Sequence, residues 1–126
     1  MDENKFTESI SEWYDRIIQA GYYENNTKIA DTLSNILEHR RKILEIGIGT
    51  GLIAEQLIAK GYDVSGFDFT KAMLDIARKR LGKNAKLYQQ NILELDLPET
   101  YEAAFSQGGL WYATREKDGR FFWKVQ

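Results

Sequence analysis

The 126-residue chain has no cysteine, one proline and one histidine, and each shortage removes a class of chemistry. Without thiols there is no disulfide framework, no thiolate nucleophile and no zinc–thiolate centre, a usage that suits the cytoplasm. His39 stands alone, and no cluster of carboxylates joins it, so no metal site is expected. No apolar run approaches bilayer length, and the N-terminal stretch MDENKFTESISEW is too polar for a signal peptide or a membrane span. A formal charge of −2 offers no broad attraction to nucleic acid or to an anionic membrane surface. The expectation is a soluble cytoplasmic domain with neither nucleic acid nor membrane as a partner.

What is present reads as an α/β pattern. Hydrophobic residues make up 43% and charged residues 29%, which excludes wholesale disorder. Ser9 and Glu12 have capping-box spacing, and Ile10, Trp13, Tyr14, Ile17 and Ile18 follow at helical intervals, with Gly21 as a stop. A second helix starts near Asn26 or Thr27 and buries Ile29, Leu33, Ile36 and Leu37; His39 to Lys42 form its basic end. Strands are expected at 43–46, 63–68, 85–89 and 102–106, with helices at 52–60 and 70–81, the latter capped by Thr70. Residues 91–100 read as a loop around Pro98, and 120–125 as a final strand or half-hairpin. Strands alternating with helices imply a largely parallel sheet with helices on its faces.

The most informative segment is KILEIGIGTG, residues 42–51, an apolar strand running into Gly47, Gly49 and Gly51. A strand ending in a glycine turn lets backbone approach a ligand, and the next helix aims its first amides at the same place. Asp68, 21 residues after Gly47, lies at the tip of the following strand, placed to accept hydrogen bonds from a ribose. Three ligand classes compete with a purely structural turn. A dinucleotide fingerprint wants glycine where Leu52 stands, and a Walker loop wants a Gly-Lys-Ser/Thr ending that is missing. Adenosine without pyrophosphate is the reading left.

Three segments in register resemble the class I S-adenosylmethionine-dependent methyltransferases of the small-molecule type: ILEIGIGTG, GYDVSGFDFTKAMLDIARKRL, and QQNILELDLPETYEAAFSQGGLWY. The resemblance runs from about Gly21 to Tyr112 and covers the N-terminal part of such a domain. It implies a Rossmann-like, three-layer α/β/α fold with a mainly parallel sheet of strand order 3-2-1-4, and N-terminal helices acting as a lid. It also implies S-adenosyl-L-methionine as cofactor, S-adenosyl-L-homocysteine as product and a small-molecule acceptor. By the same resemblance, Gly47, Gly49 and Gly51 pass the methionine part of the cofactor, and Glu45 orders their loop through hydrogen bonds. Asp68 takes the ribose hydroxyls, while Phe69 and Met73 sandwich adenine. Asn91 and the Ile92 amide meet the adenine edge, and Ser106 and Gln107 offer backbone carbonyls to the cofactor's amino group. Each has a plainer reading: Asp68 as a helix cap, Met73 as core, Asn91 as a turn residue, Glu45 as a surface carboxylate.

Tyr14, Tyr22, Tyr23, Trp111 and Tyr112 form an aromatic set flanking these motifs, expected as lid or substrate contacts. Methyl transfer demands alignment above all, so no acid–base pair is obligatory, and no catalytic residue is assigned. The expected organisation is one partial domain, with 1–41 as lid helices, 42–112 as the cofactor-binding core and 113–126 as a charged turn and terminal strand. The family's sheet has seven strands in the order 3-2-1-4-5-7-6, so this chain reads as truncated. Its fourth strand is then expected as an uncovered apolar edge, with bare faces beside it. Such an edge calls for a homodimer or a completing partner chain, or marks a piece of a longer protein. The alternative function is a catalytically silent half-domain that binds cofactor or protein.

Overall fold

The computed structural model describes residues 26–106, 111–115 and 121–125. Residues 26–37 form helix α1. Strand β1 (Lys42–Ile46), helix α2 (Leu52–Ala59), strand β2 (Asp63–Asp68), helix α3 (Lys71–Leu81) and strand β3 (Lys86–Gln89) follow. Strands β4 (Ala103–Ser106), β5 (Trp111–Arg115) and β6 (Phe121–Val125) complete the sheet.

The KILEI run dictates a central place for β1. Ile43, Leu44 and Glu45 are all buried, as a strand with neighbours on both edges and cover on both faces requires. The sheet order is β3-β2-β1-β4-β5-β6. Strand β1 runs parallel to β2 and β4, and β2 parallel to β3, so the 3-2-1-4 core is the truncated Rossmann-like fold that the resemblance implies.

Alternation along the strands sorts the core into two clusters. On one face, Ile43, Val64, Ala103 and Phe105 meet Ala30, Leu33 and Leu37 of α1, Ile53 and Leu57 of α2, and Leu74 and Leu81 of α3. Each fully buried Leu, Ile or Phe contributes about 1.5–3 kcal/mol, which holds a helix as short as α2 in place where propensity would not. The other face carries Leu44, Phe67, Tyr101 and Ala104, with Ile46, Tyr88 and Leu97 packed around them.

Two expectations about the sheet's surroundings are corrected. Strand β4 is not an open edge: β5 pairs with it antiparallel, Ala103 opposite Thr114 through Ser106 opposite Trp111, and β6 pairs antiparallel with β5. An antiparallel neighbour needs no crossover helix, so the residues after β4 suffice to cover its edge. The outer strands are β3 and β6, and a completing chain would extend the sheet there and not at β4. Nor is the second face bare at its centre, because Leu44, Phe67, Tyr101 and Ala104 are each at most 8% exposed. Trp111 and Tyr112 are the first two residues of β5.

Candidate cofactor site

The site begins where β1 stops. Gly47, Gly49 and Gly51 all have positive φ, at 67°, 58° and 84°, a path that side-chain-bearing residues resist. The loop they form is tied down at several peptides. Ile48 N donates to Phe67 O at 3.0 Å, Gly49 N to Asp68 Oδ2 at 2.8 Å, and Gly51 N to Ile48 O at 3.1 Å. Glu55 N then donates to Gly51 O at 2.9 Å, which starts α2 directly from the loop.

Gly66 makes this seating possible. A Cβ there would lie 2.4 Å from Ile48 Cδ1 and 2.8 Å from Ile48 Cβ, so only glycine lets the loop rest on β2. The Asp68 carboxylate is held from two sides, its Oδ1 also accepting from Thr70 N at 3.0 Å. The Thr70 side chain makes no capping bond; Asp68 instead holds the backbone N–H of Thr70, the residue just before α3.

Beside the loop opens a cavity of about 580 Å³, lined by Ile46, Gly47, Phe67, Asp68, Phe69, Gln90, Asn91, Ile92 and Ser106. These residues sit at the carboxyl ends of β1 to β4, where ligands of open α/β sheets bind. Among them Asp68 is the sole ionisable group, set between the apolar surfaces of Phe67, Phe69 and Ile92. Phe69 is 52% exposed and Phe67 3%, so one ring closes the floor while the other stands free at the mouth. Gly47 faces open space, with no atom within 4 Å of the point where a Cβ would be. Flat apolar walls, one carboxylate and an approachable backbone suit a nucleoside.

Of the residues singled out in the sequence, Gly47, Asp68, Phe69, Asn91, Ile92 and Ser106 line the cavity together. Gly49, Gly51, Glu45 and Met73 do not. Met73 packs behind the loop, its Cε 3.8 Å from the Cβ position of Gly49. Glu45 is 1% exposed, and its Oε1 has no hydrogen-bond partner among the described residues. Burial, and then the charge of Asp68, push its carboxyl well above the ordinary glutamate range. Asn91 Oδ1 accepts from Leu93 N at 2.9 Å and so caps the short 3-10 turn Ile92–Glu94, which aims this segment at the cavity. Gln107, Tyr14, Tyr22 and Tyr23 lie outside the described residues, as do the side chains of Trp111 and Tyr112.

Sequence reasoning missed Ile46, Phe67 and Gln90 as lining residues. Ile46, as the last residue of β1, was available as a signal. Gln90 carried none. Its Oε1 accepts from Asp96 N and its Nε2 donates to Asp96 O, both at 2.9 Å, fastening the loop that carries Asn91 and Ile92. Exposed His39 lies before β1, at the end of the strand opposite the cavity. Among the described residues no group of His, Asp and Glu could hold a metal ion, and no helix is long and apolar enough to cross a membrane.

Known proteins supply the comparison. The sequence profile of a methyltransferase-domain family matches residues 43–125. The malonyl-[acyl-carrier protein] O-methyltransferase of Bacillus anthracis is 33% identical over 94 residues, which is 68% of this chain and 35% of that protein. Among solved structures, DesVI of Streptomyces venezuelae superposes with a TM-score of 0.61 at 28% identity, covering 75% of this chain and 41% of the other. A SAM-bound amino pentose methyltransferase from Micromonospora echinaspora gives 0.60 at 24% identity, over 77% of this chain and 41% of the other. The chain spans between 35% and 58% of the length of the curated relatives it matches. With the glycine loop, the acidic tip of β2 and the 3-2-1-4 sheet in register, the chain belongs to the methyltransferase-domain family, in its class I, S-adenosylmethionine-dependent branch.

Proposed function

We propose that the cavity at the ends of β1 to β4 binds S-adenosyl-L-methionine, and that the domain serves methyl transfer to a small-molecule acceptor. The observation that carries this is the position of Asp68, whose Oδ2 lies 2.8 Å from Gly49 N while its carboxylate borders the cavity. Each oxygen of an ionised carboxylate has lone pairs beyond the one that meets a backbone amide, so Asp68 can accept from a ribose diol as well. Phe69 and Ile92, both 52% exposed, are free to cover the two sides or the edge of an adenine ring. Gly47, with open space before it, leaves room for the chain that joins the sugar to the methionyl group.

Bound there, the cofactor supplies a methyl group activated by its sulfonium. The residues of this chain bind and orient: Asp68 fixes the sugar, the apolar walls fix the base, and the tied loop sets the depth of approach. Asp68 is the only ionisable lining residue and is engaged by two backbone amides, which suits a reaction governed by alignment. By the family resemblance, Tyr14, Tyr22 and Tyr23 of the N-terminal segment would serve as lid contacts.

A second reading is a cofactor-binding module without turnover. It is favoured by the lining itself, in which Asp68 is the sole ionisable group, so the cavity offers binding contacts and no acid–base pair. Calorimetry with S-adenosyl-L-methionine and S-adenosyl-L-homocysteine tests binding, and release of the latter in the presence of small-molecule acceptors tests turnover. Binding with turnover supports the enzyme, and binding alone supports the module. Absence of binding, or preference for a nicotinamide dinucleotide, refutes both.

A further inference from the structure

We propose that Arg80 is a positioning residue for the cofactor, its guanidinium holding the Thr50 carbonyl and thereby the bend of the glycine loop. The inference rests on the reading that the cavity takes S-adenosyl-L-methionine. Arg80 Nη1 donates to Thr50 O, and the Arg80 side chain is only 11% exposed. Thr50 is itself buried, at 6%. The peptide between Thr50 and Gly51 is therefore gripped at both ends, its oxygen by Arg80 and its N–H by Ile48 O at 3.1 Å.

The last turn of α3 is built around this grip. Ala77, Arg80 and Leu81 share one helix face, at spacings of three and four residues. A Cβ at Gly51 would lie 3.0 Å from Leu81 Cδ1 and 3.5 Å from Ala77 Cβ, so the helix is pressed against the loop at that glycine. At the other end of the same helix, Asp68 and Met73 reach Gly49. Helix α3 thus splints the loop along its length, and Arg80 supplies a charge-assisted member of that splint at its Thr50 end. The plainer account is a surface ion pair with Glu55. Its Nε–Oε2 separation is 3.9 Å and Glu55 is 50% exposed, a geometry of little worth that explains neither the burial of Arg80 nor its bond to Thr50.

Arg80 does not line the cavity, so its influence passes through the loop's conformation. A loop already held in its binding shape avoids an ordering cost when ligand arrives. Such an effect ignores the ligand's charge. A cation acting directly on the cofactor would instead oppose the sulfonium and spare the neutral sulfide.

Calorimetry of wild type, Arg80→Met, Arg80→Lys and Glu55→Gln with both S-adenosyl-L-methionine and S-adenosyl-L-homocysteine tests this, with thermal unfolding in parallel. Arg80→Met should weaken both ligands by the same factor, about tenfold, the loss expected of one charge-assisted hydrogen bond. Arg80→Lys should recover part of that loss, methylguanidinium should restore binding to Arg80→Met, and Glu55→Gln should bind as wild type does. Unchanged affinity in folded Arg80→Met overturns the proposal, as does a loss confined to one ligand. If Arg80→Met fails to fold, Arg80→Lys decides the matter by the same criteria. Wild type that binds neither ligand overturns the cofactor reading itself, an outcome visible before any variant is made.

Discussion

Gly66→Ala is the sharpest perturbation available, because its effect follows from distances alone. The new Cβ would stand 2.4 Å from Ile48 Cδ1, 2.8 Å from Ile48 Cβ and 3.1 Å from Ile48 Cγ1. The terminal methyl can rotate away, but the Ile48 Cβ is fixed to the loop backbone. To restore ordinary contact the backbone of Ile48 must retreat by roughly 0.6 Å, the kind of shift that overpacking forces. That retreat stretches the Ile48 N to Phe67 O bond, now 3.0 Å, and the Gly49 N to Asp68 Oδ2 bond, now 2.8 Å. Overpacking costs about 1–3 kcal/mol and each weakened hydrogen bond up to about 1 kcal/mol more, so a loss of about 2–4 kcal/mol is expected. For a domain of this size that lowers Tm by about 6–20 °C. Affinity for S-adenosyl-L-methionine should fall alongside, since the same shift moves the loop off its site. Combining Gly66→Ala with Ile48→Ala should recover part of the stability and not all, because the 2.8 Å approach to Cβ remains. Circular-dichroism melts and calorimetry read both effects. A Gly66→Ala protein melting within about 1 °C of wild type, a shift too small for overpacking, and binding equally well would refute the seating of the loop on β2.

Asp68→Ala should cost about 2–4 kcal/mol in S-adenosyl-L-methionine affinity by calorimetry, the loss of two charge-assisted bonds; unchanged affinity removes Asp68 from the site. Phe69→Ala should leave Tm nearly unchanged, since the ring is half exposed, yet weaken binding by about 1 kcal/mol through lost stacking. Equal affinity would separate Phe69 from adenine. Glu45 has its carboxyl raised by burial and by Asp68, so the folded state holds its proton at pH values where the unfolded chain has released it. Stability from this group is thus complete at acid pH and is lost as pH rises from the ordinary glutamate range through the raised value. Glu45→Gln should accordingly gain in Tm relative to wild type as pH increases over that window; a pH-independent difference between the two would count against a buried, neutral Glu45.

Much of this protein could be read from residue order because local chemistry is repeated along the chain. The Gly47, Gly49 and Gly51 turn announces itself by positive φ that other residues avoid, and all three angles are positive. The spacing from that turn to Asp68 sets the length of one strand–helix–strand unit, and so brings the carboxylate to the loop. The apolar periodicity of α1 identified Leu33 and Leu37 as core because only one helix face can meet the sheet, while Ile29 and Ile36 of the same stripe are only partly buried.

The tertiary structure decided what depends on contacts between distant segments. Gly66 looks like any strand glycine until Ile48 is seen lying across it, and Gln90 like any polar residue until Asp96 is found bonded to its amide. Arg80 reads as one of several basic residues ending α3, and only folding brings Thr50, 30 positions earlier, to its guanidinium. Whether β4 stays open was likewise undetermined by composition, since pairing direction is set by how the chain returns and not by the strand itself. Patterns of period two and 3.6 fix elements because their physics is local, whereas partners are chosen by the three-dimensional path that joins them.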